Sequence, residues 1–219
     1  MKNKSDCPCF YITERTLQRL AFVLCVLMTA TVHAQSPGQS VKPGQLFAGS
    51  LLNVHSPDSE GWLFAGAGNN GMAFARRGAE QNETYGAQII LFKLPPTHSN
   101  EEFVEVIKNR VNMANPPSRF AVLEMNYEYT DHRGYPCVRH KSIFDDKEAL
   151  TTFGTRSPMK LQVISLYCRH PAEQEVGFFA AYSHRGANTD PDLEMPAQRF
   201  INGVETPYSQ AKINESSLR

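Results

Sequence analysis

The sequence predicts an α+β domain: a largely antiparallel sheet covered by two helices. Three observations predict it. Alternating apolar and polar runs recur through the second half of the chain, joined by short polar turns. Helical spacing occurs in only two stretches, about 100–113 and 190–204. The pair Asn70-Gly71 lies between two short apolar runs, which signals a hairpin because both central residues of a type I′ turn take positive φ.

The elements follow in order. Leu51 to Val54 is a short strand, and Ser56-Pro57-Asp58-Ser59-Glu60-Gly61 is turn chemistry. Trp62 to Ala67 and Met72 to Arg76 form the hairpin. Thr84 to Leu94 is a long strand with Ile90, Phe92 and Leu94 on one face and Ile89 and Leu91 on the other, so both faces should be covered. Pro95-Pro96 ends it. Ser99 then serves as N-cap with Glu102 at N3, a capping box. Phe103, Val106, Ile107, Arg110 and Val111 continue at helical spacing to about Met113, and Pro116-Pro117 terminates the helix. Arg119 to Thr130 alternates, with Ala121, Leu123, Met125, Tyr127 and Tyr129 on one face. Strands follow at 135–144, 159–170 and 176–184. A closing helix at 190–204 carries Leu193, Phe200, Ile201 and Val204. The order is four strands, a helix, four strands and a helix.

The N-terminus reads as a secretory signal over 1–34. Lys2, Lys4, Arg15 and Arg19 precede the apolar run Leu20 to Met28, and Val32-His33-Ala34 supplies small or permissible residues at −3 and −1. That run is too short for a membrane anchor, which needs roughly 20 apolar residues. Bulky Val23-Leu24 ahead of Cys25 does not fit a lipidation signal. Residues 35–49 read as a flexible leader, 50–205 as one α+β domain and 206–219 as a polar tail.

With 1–34 removed, Lys+Arg falls from 22 to 18 and Asp+Glu from 22 to 20. The remaining chain has no basic excess to hold a phosphate backbone, which argues against nucleic acid as a partner. Cys7, Cys9 and Cys25 leave with the signal, and Cys137 and Cys168 remain. An even pair in an exported domain reads as a disulfide. If Cys137 faces Cys168 across neighbouring strands, Val138 pairs with Tyr167 and Phe144 with Leu161 on one face. The rival is a zinc site using Cys137, His140, Cys168 and His170. Residues three apart on a strand point to opposite faces, which counts against it.

Other motifs are weak. Gly66-Ala67-Gly68-Asn69-Asn70-Gly71 matches a dinucleotide fingerprint, but a strand follows where a helix is required. No serine-hydrolase elbow, Walker loop or His-Glu-x-x-His occurs. Asp145-Asp146 reads as a solvated turn, and Asn82 and Asn214 fit glycosylation acceptors. Candidate ligand contacts are Trp62, His140, Phe153, His170, His184 and Arg185, with Phe153 in the long 146–158 loop. No cofactor and no metal is expected.

The Pro57…Gly61-Trp62 segment, the hairpin, the strand at 84–94 and the helix capped by Ser99, followed by four strands and a helix, resemble the PsbP/Mog1-type sandwich over about residues 50–205. The strands around Cys137 and Cys168, with Tyr182-Ser183-His184-Arg185-Gly186, also resemble small exported bacterial proteins without assigned function. The first resemblance implies a non-catalytic accessory or binding role. The sequence-level expectation is therefore a periplasmic or secreted binding domain whose partner is an envelope protein or a small ligand. It would have no stable membrane span once the signal is gone. The alternative is an envelope hydrolase using Asp131, His132, His140 and His170.

Overall fold

The computed structural model describes residues 37–207 except 69 and 152. The signal at 1–34, the acceptor at Asn214 and nearly all of the tail lie outside the described residues. In chain order the elements are β1 (Gln39–Ser40), β2 (Leu46–Ala48), β3 (Asn53–His55), β4 (Leu63–Gly68), β5 (Gly71–Arg77), β6 (Thr84–Lys93), α1 (Asn100–Ala114), β7 (Phe120–Thr130), β8 (Cys137–Asp146), β9 (Met159–Arg169), β10 (Val176–Gly186), α2 (Glu194–Asn202) and β11 (Val204–Glu205). Eight strands make one antiparallel sheet in the order β1-β4-β5-β6-β10-β9-β8-β7, and β11-β3-β2 make a small second sheet. The α+β class and the antiparallel bias are as the sequence predicts. Among the described residues no helix is long and apolar enough to cross a membrane.

Apolar surface is buried on both sides of the large sheet. One face carries Phe74, Ile89, Phe178, Tyr182, Ile164 and Leu166, closed by Phe200 and Ile201 of α2 and Val54 of the small sheet. The other carries Phe92, Val138 and Tyr167, closed by Phe103, Ile107 and Val111 of α1. Those three α1 residues recur every fourth position, so they share one stripe of the helix.

The cysteines are joined, and the ladder between β8 and β9 has the register read from them: Cys137↔Cys168, Val138↔Tyr167 and Phe144↔Leu161. The start of α1 also forms as expected, with one change. Ser99 Oγ accepts from the Glu102 amide at 3.1 Å, but the Glu102 carboxylate accepts from the His98 amide at 2.6 Å, not from that of Ser99.

Other expectations need correction. The 35–49 segment is not wholly a loose leader: β1 and β2 lie within it, Val41 is buried, and its amide donates to Trp62 O at 3.0 Å. Thr206, assigned to the tail, is fully buried. In the β4–β5 hairpin Gly68 pairs with Gly71, so Gly71 belongs to the strand and does not take positive φ. Glycine is required there because a Cβ would sit 2.0 Å from the Ile89 carbonyl oxygen. On β7 a bulge between Val122 and Glu124 shifts the register. Met125, Tyr127 and Tyr129 keep their common face, but Ala121 pairs with Asp145 and points the other way. The last helix is shorter than 190–204. Asp190 instead organises a turn, accepting from the Asp192 amide at 2.9 Å, and Val204 leaves to pair with Val54.

Candidate functional site

The residues singled out from sequence do not gather at one place. Trp62 is fully buried, packs edge-on against Tyr182 at 5.4 Å and donates through Nε1 to Ser59 Oγ. It is a core residue. Phe153 sits at the tip of the β8–β9 loop, about three-quarters exposed. Arg185 reaches from β10 to Asp146, its guanidinium 3.1 Å from Oδ2. Asp146 itself is not in a solvated turn. It is fully buried and takes two further bonds from Arg119, both at 2.8 Å. Burial alone would raise this carboxyl; the two guanidinium groups hold it below the ordinary aspartate range.

The histidines are dispersed by the register. His140 pairs across the sheet with Ser165, on the α1 side. His184 pairs with Gln162, on the opposite side. There its Nε2 lies 2.8 Å from Glu83 Oε1 and its ring sits against Tyr85 at 4.9 Å. His140 is sealed in: Nδ1 lies 3.0 Å from Ser165 Oγ, Nε2 has no partner, and burial pushes its pKa down to about 4. His170 lies five residues beyond Ser165, roughly 16 Å along the chain at strand rise. Asp131 and His132 are exposed in the β7–β8 turn. Of the groups in the hydrolase alternative, Asp131, His132 and His170 lie at the end of the sheet where β7 and β9 finish and β8 begins, and His140 is buried three residues further along β8 with Ser165 as its polar partner. The two thiols are consumed by the disulfide, and among the described residues no three His, Cys, Asp or Glu side chains are placed to hold a metal ion.

One of those residues, His170, lines a cavity of about 250 Å³ at the start of α1. Its other walls include Thr97, Asn100, Phe103, Tyr135 and Arg169. His170 is fully buried and already committed. Its Nδ1 accepts from the amides of Ala172 and Glu173, which leaves Nε2 as the donor to Leu51 O at 3.1 Å. Tyr135 packs on Phe178, and Phe103 lies under the Arg169 guanidinium at 5.7 Å.

No protein-family model matches the chain, and no curated protein is similar to it.

Arg169 is the side chain that sequence reasoning passed over. It is 8 % exposed, and its partners are all neutral oxygens: Gln174 O, Pro95 O at 3.1 Å and Thr97 Oγ1 at 2.9 Å. Among the described residues it makes no ion pair, and burial alone draws its pKa below the ordinary arginine value. Three bonds leave two of its five N–H donors unused. Its Nε, unlike the Nε of Arg76 and of Arg185, is not sealed off without a partner. The signal was present in the strand pattern. Tyr167 and Arg169 alternate on the face that α1 covers, and a cation on a covered face must find a partner or a use.

Proposed function

We propose that the chain is an exported, non-enzymatic binding domain of the cell envelope, and that its ligand enters the cavity at the start of α1. The observation that carries the binding role is a buried guanidinium without a carboxylate partner in the wall of that cavity. A folded protein holds an uncompensated buried charge at a cost, and ligand sites are where such costs recur. Export is supported by the basic, apolar and small-residue pattern of 1–34 and by the Cys137–Cys168 bond, which suits an oxidising compartment. The resemblance to the PsbP/Mog1-type sandwich belongs to the same proposal and rests on the order of elements.

Two measurements test it. Expression from the complete reading frame, followed by cell fractionation and N-terminal sequencing, should place the protein outside the cytoplasm with Gln35 first. A fragment screen read by backbone amide shifts should perturb Asn100, Phe103 and His170 together. Retention in the cytoplasm with free thiols contradicts export, and an unperturbed cavity contradicts the binding role.

A further inference from the structure

We infer that the cavity takes a small, singly charged carboxylate with a short apolar body; this rests on the cavity being the binding site. The head group follows from Arg169. A guanidinium held by three neutral oxygens keeps its full charge and two free N–H donors. A carboxylate matches both. It forms charge-assisted bonds, shorter and stronger than those a neutral oxygen can offer. It also supplies the counter-charge that the protein does not.

A phosphate fits less well. It carries close to two charges and needs more donors than remain. Glu101 and Glu102 also stand in the first turn of α1 and oppose a dianion. The helix end is not what makes the site: Ser99 Oγ already takes the Glu102 amide, and the Glu102 carboxylate folds back onto the His98 amide just ahead of the helix.

The body follows from the walls. Phe103, Tyr135, Pro136 and Pro171 present carbon to the cavity. At about 250 Å³ it is smaller than the range typical of drug-sized ligands, roughly 300–1,000 Å³, so one ring or a short chain fills it. The geometry of the wall is set by the disulfide next door: Cys137 and Cys168 fix the strands whose next residues are Pro136 and Arg169, and the Arg169 amide donates to Pro136 O at 3.0 Å.

The experiment titrates the exported, disulfide-bonded protein with benzoate, benzamide and inorganic phosphate, by calorimetry and by amide and arginine Nε–H shifts. Benzoate should bind, with shifts at Thr97, Asn100 and the Arg169 Nε–H. Benzamide, its neutral counterpart, should bind at least about ten-fold more weakly, the loss expected when one charge-assisted bond becomes neutral. Arg169→Lys keeps a charge but loses the planar donors, and should weaken benzoate by a similar factor while unfolding stays cooperative. If that variant does not fold, the benzoate–benzamide ratio on the unmodified protein decides alone. Equal binding of the two at the cavity overturns the carboxylate assignment and leaves the binding site standing. Binding of phosphate without benzoate overturns it as well. No shift at the cavity with any of the three, and none in the fragment screen, overturns both.

Discussion

The two ends of the β8–β9 hairpin each bury a charged side chain, and they treat it differently. At the loop end Asp146 is fully buried and gripped by Arg119 and Arg185. At the open end Arg169 is almost as deeply buried and meets only carbonyl and hydroxyl oxygens. The first arrangement is self-sufficient: an acid between two cations gives a ligand little to add. The second leaves a charge without its complement beside a cavity. Burial of a charge does not by itself distinguish architecture from site; the presence or absence of the opposite charge does.

The strongest way to break the comparison is to make the loop end resemble the open end. Asp146→Ala strands two guanidinium groups at the foot of β8 and should cost about 4 kcal/mol, the size found when one partner of a buried pair is removed. Urea unfolding of the variant would read this as a lower midpoint with an unchanged slope. The same group governs acid behaviour. Its folded-state pKa lies below the ordinary value of 3.8, so its stabilisation is intact above that pH and is lost as pH falls further. In the variant, the unfolding midpoint should no longer decline in that window. Next comes the disulfide at the open end. Replacing both Cys137 and Cys168 by Ser frees a loop spanned by 31 residues and should cost about 3–4 kcal/mol in the chain-entropy view. If benzoate binding survives in that double variant, Arg169 is held by its own oxygens and not by the cross-link.

Between the two ends lies His140, which separates acid effects by pH. Its pKa is lowered to about 4 by burial against Tyr127 and Tyr167, with only Ser165 as a polar partner. A histidine held neutral stabilises the fold at high pH. That contribution is lost as pH drops through the unfolded value of about 6.5 and on toward 4. The loss amounts to about 3 kcal/mol by pH 4, at about 1.4 kcal/mol per unit. His140→Phe should flatten the unfolding midpoint between pH 6.5 and 4 and leave the lower, Asp146-dependent decline in place. A profile that keeps its slope above pH 4 in that variant would mean another group titrates there.

The legible parts were those where local chemistry and long-range structure coincide. Two cysteines on consecutive alternating strands fix a register, so a single pairing placed some twenty residues at once. The start of α1 was legible because caps are local. The bulge at Leu123 was not: a run of alternating side chains reads the same with or without an extra residue, and the shift shows only against β8. Nor was β1, since Gly38 and Gly44 give its surroundings the composition of a loop. The burial of Asp146 depends on Arg119, 27 residues away, and no local pattern reports it. At the cavity, His170 was named and Arg169 was not, because a charge beside a cysteine reads as surface until the covering helix is placed over it.

The smallest expected effect bears on the cavity itself. Ser99 both caps α1 and lines the space where the carboxylate would sit. Ser99→Ala removes the acceptor for the Glu102 amide and should cost about 1 kcal/mol, the usual value of such a cap. The Glu102 carboxylate still holds the His98 amide, so the helix should start at the same residue. The Glu102 N–H, no longer satisfied within the protein, then adds a donor near the open end. Stability and affinity should therefore part company: thermal unfolding moves down slightly while benzoate binding holds or tightens. A parallel fall in both would mean that the helix start, and not the charge of Arg169, organises this end of the sheet.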